Sequence, residues 1–223
     1  MKKNLFLEAV TKFLLGAVLV GVLIFLPAGT LQYTHGWLFV GLLFIPMFIA
    51  GSVMFWKSPE FLAKRLDAGE KQATQKGVLA FSGLMFMAAF VIAGLDFRFG
   101  WSQMPLWVVV TASVLFLLAY VLYAEVMREN AYLSRTVKVQ EGQTVVDTGL
   151  YGVVRHPMYA VTILLFLMMP LVLGSWYGLI PMAFYPAIII VRLKDEEDLL
   201  TAELPGYEGY KKKVKYSLIP FVW

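Results

Sequence analysis

The sequence contains no cysteine, only two histidines, and few charged residues of any kind, 15% of its 223 positions. Without cysteine there are no disulfides, no thiolate nucleophile and no cysteine metal site, and no metal is expected at all. The scarcity of charge sets the chain apart from soluble domains, in which about 25% of residues are charged and about 45–50% apolar. Here 60% are hydrophobic. The formal net charge of +4 is too small to point to a nucleic-acid partner, and none is expected. This composition describes an all-α integral membrane protein, read as one membrane domain over 1–223.

The apolar runs divide the chain. The first covers residues 10–28 and follows a basic start, Lys2-Lys3. It exceeds the 7–15 residues of a signal-peptide core and is long enough to span a bilayer, since ~20 residues at 1.5 Å each cross the hydrocarbon. Further spans are expected at 36–56, with Pro46 inside, at 77–95 and at 105–124, so that 1–124 holds four N-terminal spans. The remainder, 125–223, opens with the longest polar section. Within it Thr136–Val139 and Thr144–Val146 flank Glu141-Gly142 in the manner of a small β-hairpin. Two shorter apolar arms follow, 160–173 and 179–191, joined by Gly174-Ser175-Trp176-Tyr177-Gly178 and read as a tight helical hairpin. In the tail, Tyr207, Tyr210 and Val214 share one face of a short helix beside Lys211-Lys212-Lys213, the pattern of an interfacial helix on an anionic membrane surface.

Placing six crossings puts all but one of the 19 lysines and arginines on one side, the exception being Arg98. Excess positive charge marks the cytoplasmic side, which makes both termini cytoplasmic. The six tryptophans fall near expected interfaces and are read as belt residues. His35 lies in a short outer loop with no evident role.

Two polar clusters adjoin the helical hairpin on the cytoplasmic side. Asp147–Tyr159 crowds Tyr151, Arg155, His156 and Tyr159 against glycines and Pro157, and Arg192–Asp198 closes the apolar stretch that it opens. Polar groups at the mouth of a membrane helix are costly to place, which makes them a functional-site hypothesis. A tight hairpin brings the two clusters together. By residue type they offer aromatic faces for a nucleobase or cation, carboxylates at Glu196 and Glu197, and Arg192 one helical turn before Glu196. Glu125 and Asn130 lie where the fourth span approaches the site, as lining groups or as helix caps.

The spacing Gly149-Leu150-Tyr151-(x)3-Arg155-His156-Pro157-Met158-Tyr159, then Arg192-(x)3-Glu196-Glu197, then Gly206-Tyr207-(x)2-Tyr210, resembles the isoprenylcysteine carboxyl methyltransferase and phospholipid methyltransferase family of integral membrane enzymes. The resemblance covers roughly Asn130 to Pro220. It implies S-adenosylmethionine as cofactor and methyl transfer to a lipophilic small-molecule or lipidated acceptor at the bilayer. Carried over by position, cofactor contacts fall on Gln143, Thr144, Val145, Val146, Tyr151, His156, Pro157, Met158, Tyr159 and Glu196. Arg192 becomes the substrate-holding arginine, and Glu197, with Glu196, the carboxylate available as a base for an amine or hydroxyl acceptor. Gln143 departs from the histidine of eukaryotic relatives. No G-x-G-x-x-G follows a strand, so no Rossmann-type site is expected. Two other classes compete: an NADPH-dependent membrane reductase of sterol-reductase-like architecture, and a small membrane transporter or assembly protein. The near absence of charge inside the spans argues against ion coupling.

Overall fold

The computed structural model describes residues 2–66, 73–133 and 139–223, and these are helical with no strand among them. The long apolar runs become α1 (Lys2–Ala28), α2 (Thr34–Lys57), α4 (Ala73–Phe99) and α5 (Leu106–Glu129), with the short α3 (Pro59–Leu66) between α2 and α4. A 3-10 turn at Gly149–Gly152 precedes α6 (Pro157–Val172), α7 (Leu179–Met182), α8 (Tyr185–Glu203) and α9 (Tyr207–Lys213). Hydropathy locates each span, but the helices run further, because a helix ends where its backbone is capped and not where its side chains turn polar. α5, for instance, continues through Arg128 and Glu129. Pro27 and Pro46 both lie inside helices, a placement that membrane helices tolerate.

Four helices, α1, α2, α4 and α5, are long and apolar enough to cross a membrane. α6 is apolar but has only 16 residues, about 24 Å at 1.5 Å per residue, which is short of the ~30 Å hydrocarbon core. α8 is apolar only in its first two turns before Arg192. Even so, the α6–α8 hairpin extends the full depth of the bundle. At its tip, Ser175 Oγ donates to Oδ2 of Asp96 in the last turn of α4, and the Trp176 N–H donates to Ser102 Oγ, just beyond that helix, at 3.0 Å. The Tyr33 hydroxyl, at the start of α2, donates to the Leu173 carbonyl at the same end. Asp96 is 2% exposed and also accepts from the Ser102 N–H at 2.6 Å. A buried carboxylate is tolerable when its oxygens are fully engaged, and this one ties α4, the following loop and the hairpin tip together.

Pro181 and Pro186 break the second arm as expected: α7 is a single turn, and α8 restarts at Tyr185. His35 does have a packing role. Its Nδ1 would lie 2.6 Å from a Cβ at Gly174, where φ is +75°, so only glycine fits that turn. The β-hairpin expectation fails where it can be read. Residues 144–146 form no strand; the turn at Glu141-Gly142 exists, closed by the Gln143 N–H to the Gln140 carbonyl at 3.1 Å. Residues 136–138 of its first arm lie outside the described residues.

The core is formed by α2, α4, α5 and α6, around Phe39, Ala89, Phe116, Ala119, Leu165 and Met169. α5 packs along α6, and α1 along α4. Apolar burial gives little preference between lipid and protein, so close backbone approach at small residues holds membrane helices together. Gly94 marks such a crossing: a Cβ there would stand 2.5 Å from the Ile24 carbonyl oxygen of α1. All six tryptophans are exposed, as a belt requires.

Gly94→Ala should lower stability by about 1–3 kcal/mol, because backbone atoms must move to admit the methyl. Gly83→Ala, on the same helix with nothing within 4 Å, should leave stability unchanged or slightly raised. Thermal unfolding of the two variants in one detergent compares them directly.

Candidate active site

The segment that carries the motif is folded by three local constraints. Gly149 adopts φ +52°, and a Cβ there would fall 1.4 Å from Glu129 Oε1. The bare glycine lets the Glu129 carboxylate reach the Leu150 N–H, which donates to Oε2 at 2.9 Å and fixes the 3-10 turn to the end of α5. Tyr151 is then buried against Val126 and Leu133. Its hydroxyl accepts from Asn130 Nδ2 at 3.0 Å, and its carbonyl accepts from the Tyr210 hydroxyl at 2.7 Å. Pro157 opens α6 at the first helical position, where a missing N–H costs nothing.

Between these points, Arg155 and His156 are pinned to the tail. The Arg155 N–H donates to the Tyr216 carbonyl and the His156 N–H to the Ser217 carbonyl, each at 2.9 Å. The Arg155 guanidinium donates from Nε to Glu197 Oε1 at 2.6 Å, and from Nη1 to the carbonyls of Val214 and Lys215, both at 2.8 Å. Its Nη2 donates to Ser217 Oγ. His156 Nε2 lies 3.0 Å from the same Glu197 oxygen. Burial pushes the Glu197 carboxyl up, but hydrogen bonds from His156 and Arg155, together with their charge, outweigh it and bring the pKa down to about 2. An ionised carboxylate only accepts, so the shared proton belongs to His156 Nε2.

Glu196 is one residue earlier on α8 and therefore faces a different direction. The Tyr159 hydroxyl donates to its Oε2, and Arg192 Nε donates to the Tyr159 hydroxyl at 3.1 Å. The result is a directed relay from a buried guanidinium through a phenol to a carboxylate. The His156 and Tyr159 rings stack at 5.7 Å and 22°, so the two networks lie side by side.

All of this frames one partly open cavity of about 90 Å³. Gln143, Thr144, Val145 and Val146 line it from the loop, and Tyr151, His156, Met158 and Tyr159 from the motif. Arg192 and Glu196 line it from α8. Gln143 Oε1 accepts from the Gln140 N–H at 2.9 Å, which leaves its amide nitrogen as a donor. Among the residues expected at the site, Pro157 and Glu197 are not part of the lining. Pro157 starts the helix, and Glu197 is engaged from behind by Arg155 and His156.

Several lining residues had no place in the sequence-based expectation. Leu199, Leu200 and Leu204 form the apolar wall. They follow Glu196 at i+3, i+4 and i+8, so one helical stripe from Arg192 onward carried the signal. Tyr207 and Tyr210 also face the cavity. The apolar face of α9 therefore packs inward, against Val139, Val145 and Leu200, and not onto the bilayer as expected. The exposed Lys212 and Lys213 remain on the outer side. Tyr132 and Leu133 complete the rim beside Asn130, and here nothing in the local sequence separates lining from loop.

Residues 107–206 match the family model of the phospholipid methyltransferases, a family of integral membrane methyltransferases that includes the isoprenylcysteine carboxyl methyltransferases. No curated protein matches the chain. The match, together with the four long apolar helices, describes an integral membrane protein whose cavity lies inside and just beyond the matched region.

Glu197→Gln removes one member of a nearly buried pair in which the two side chains are 10% and 13% exposed. Leaving Arg155 with its charge uncompensated should cost about 3 kcal/mol. Because the Glu197 pKa is depressed on folding, its contribution is complete above the unfolded value near 4.3–4.5. It is lost as pH falls through about 2. Chemical unfolding of the wild type should therefore show stability falling across that window, and the variant should show a flatter curve there.

Proposed function

We propose that the protein transfers a methyl group from S-adenosylmethionine to a lipophilic acceptor at the cytoplasmic face of a membrane that it crosses six times. The observation that carries this reading is the convergence of loop 143–146, the Tyr151–Tyr159 segment and α8 on one cavity with aromatic faces and a carboxylate. Its lining fits the cofactor's chemistry. Glu196 places negative charge where a sulfonium or ribose hydroxyls would be held, the tyrosine rings offer faces to a nucleobase and a cation, and the Gln143 amide offers a donor. The leucine wall from α8 gives the apolar remainder of the lining.

S-adenosylmethionine, when bound, supplies an electrophilic methyl on a sulfonium. The protein's own contribution is orientation and exclusion of water. Arg192 holds the Tyr159 hydroxyl, which in turn orients Glu196, so the carboxylate facing the cavity is fixed by two hydrogen bonds in series. Arg192, as a buried cation at the wall, also orients an ionised acceptor, and a carboxylate acceptor would need no base. An amine or hydroxyl acceptor would need one. Glu197, held near 2 by its partners, is too weak a base near neutral pH, which leaves Glu196 for that role. Glu197 acts on the reaction through Arg155 and His156, as a positioning residue.

Calorimetric titration of the detergent-purified protein with S-adenosylmethionine and S-adenosylhomocysteine should give micromolar binding. Glu196→Gln and His156→Ala should each weaken it about tenfold, which corresponds to ~1.4 kcal/mol. A folded wild type that binds NADPH and neither of these ligands would replace the methyltransferase with a reductase.

A further inference from the structure

The cofactor side of the cavity is built from the C-terminal half of the chain, whereas α3 belongs to the N-terminal half and packs against the same end of the bundle. Phe61 of α3 joins the cluster of Val126, Leu133 and Tyr151. Lys64 Nζ donates to Gln140 Oε1 at 2.8 Å. Arg65 Nη2 donates to the Tyr123 hydroxyl, with its guanidinium carbon 5.5 Å from the Tyr123 ring centre.

Tyr123 lies six residues before Glu129, the last residue of α5, which is ~9 Å along the helix axis. Arg65 thus reaches the last turn of the apolar run 105–124. Among the described residues no carboxylate lies within ion-pair distance of it. A cation at the edge of an apolar span is unfavourable without an anionic partner, and a phenol uses one of its five donors. Through Phe61, α3 packs on the cluster that holds Tyr151, a cavity residue, so Arg65 stands on the helix that closes this side of the site.

We propose that Arg65, steadied by Tyr123, is the seat for an oxyanion, phosphate or carboxylate, of the lipid acceptor, and so positions that lipid from the membrane side of the cavity. This rests on the methyltransferase reading. The planar guanidinium suits either oxyanion, since it can present two parallel donors. The position suits a lipid, because a headgroup at the interface meets Arg65 while the acyl chains remain beside α2 and α5.

The test is native mass spectrometry of the detergent-purified full chain with three chain-matched probes: dioleoylphosphatidic acid, oleate and uncharged dioleoylglycerol. Arg65→Gln, Tyr123→Phe and Lys213→Gln are measured beside the wild type, and S-adenosylhomocysteine affinity is measured on every variant. Wild type should retain at least one anionic probe about fivefold or more over dioleoylglycerol, and whichever is retained identifies phosphate or carboxylate. Arg65→Gln should lose that preference and Tyr123→Phe should lose part of it, with S-adenosylhomocysteine affinity changed less than about twofold. Lys213→Gln, which alters only an exposed pair with Asp147, should behave as wild type. Unchanged retention by Arg65→Gln, or an equal loss in Lys213→Gln, overturns the assignment. Failure of the wild type to bind S-adenosylhomocysteine overturns the methyltransferase reading instead, and the lipid arms still report on Arg65.

Discussion

Everything about the site depends on one carboxylate that never faces it. Glu197 accepts from Arg155 at 2.6 Å and from His156 at 3.0 Å, and Arg155 in turn holds three carbonyl or hydroxyl oxygens of the tail. This knot joins the motif before α6, the polar half of α8 and the segment after α9. It stands in for hydrophobic packing, which offers little net drive where the surroundings are lipid on one side and water on the other. Charged hydrogen bonds in a partly dry setting are directional, and direction is what a site assembled from three separate segments requires.

The neighbouring glutamate does the opposite job on the same helix. Consecutive residues of a helix point about 100° apart, so Glu196 turns to the cavity while Glu197 turns to the knot. Tyr159 couples the two faces: its ring stacks on His156 and its hydroxyl bonds Glu196. A shift of the knot would therefore reach the cavity-facing carboxylate through one aromatic ring. The opposite end of the bundle is built on the same logic, with Asp96 buried and satisfied by serines and backbone, so the α6–α8 hairpin is anchored at its tip as well as at its mouth.

Much of this was legible in the residues. Apolar run length placed the four long helices, and the prolines at 181 and 186 placed the break in the second arm of the hairpin. That the Arg-His-Pro motif and the acidic cluster meet follows from their places at the two ends of one tight helical hairpin. The two glutamates, however, read alike in sequence; only the phase of α8 against Arg155 separates their directions. The inward face of α9 was visible as Tyr207, Tyr210 and Val214, but an apolar stripe beside lysines looks the same whether it covers a cavity or a bilayer. The β-branched residues at 144–146 suggested a strand, and the chain uses them instead as irregular cavity wall. Local preference gave way there to the tertiary setting.

The hydrogen bonds from the N–H groups of Arg155 and His156 to the carbonyls of Tyr216 and Ser217 also impose an order on biogenesis. Chains fold as they are synthesised, earlier segments first, and α1 to α6 contain what is needed to settle in the bilayer. The geometry of the cavity, by contrast, has no holder until residue 217 has emerged. Insertion and completion of the cavity are thus separated in time, and a nascent chain already resident in the membrane would lack the finished cavity until its tail folded back to close it.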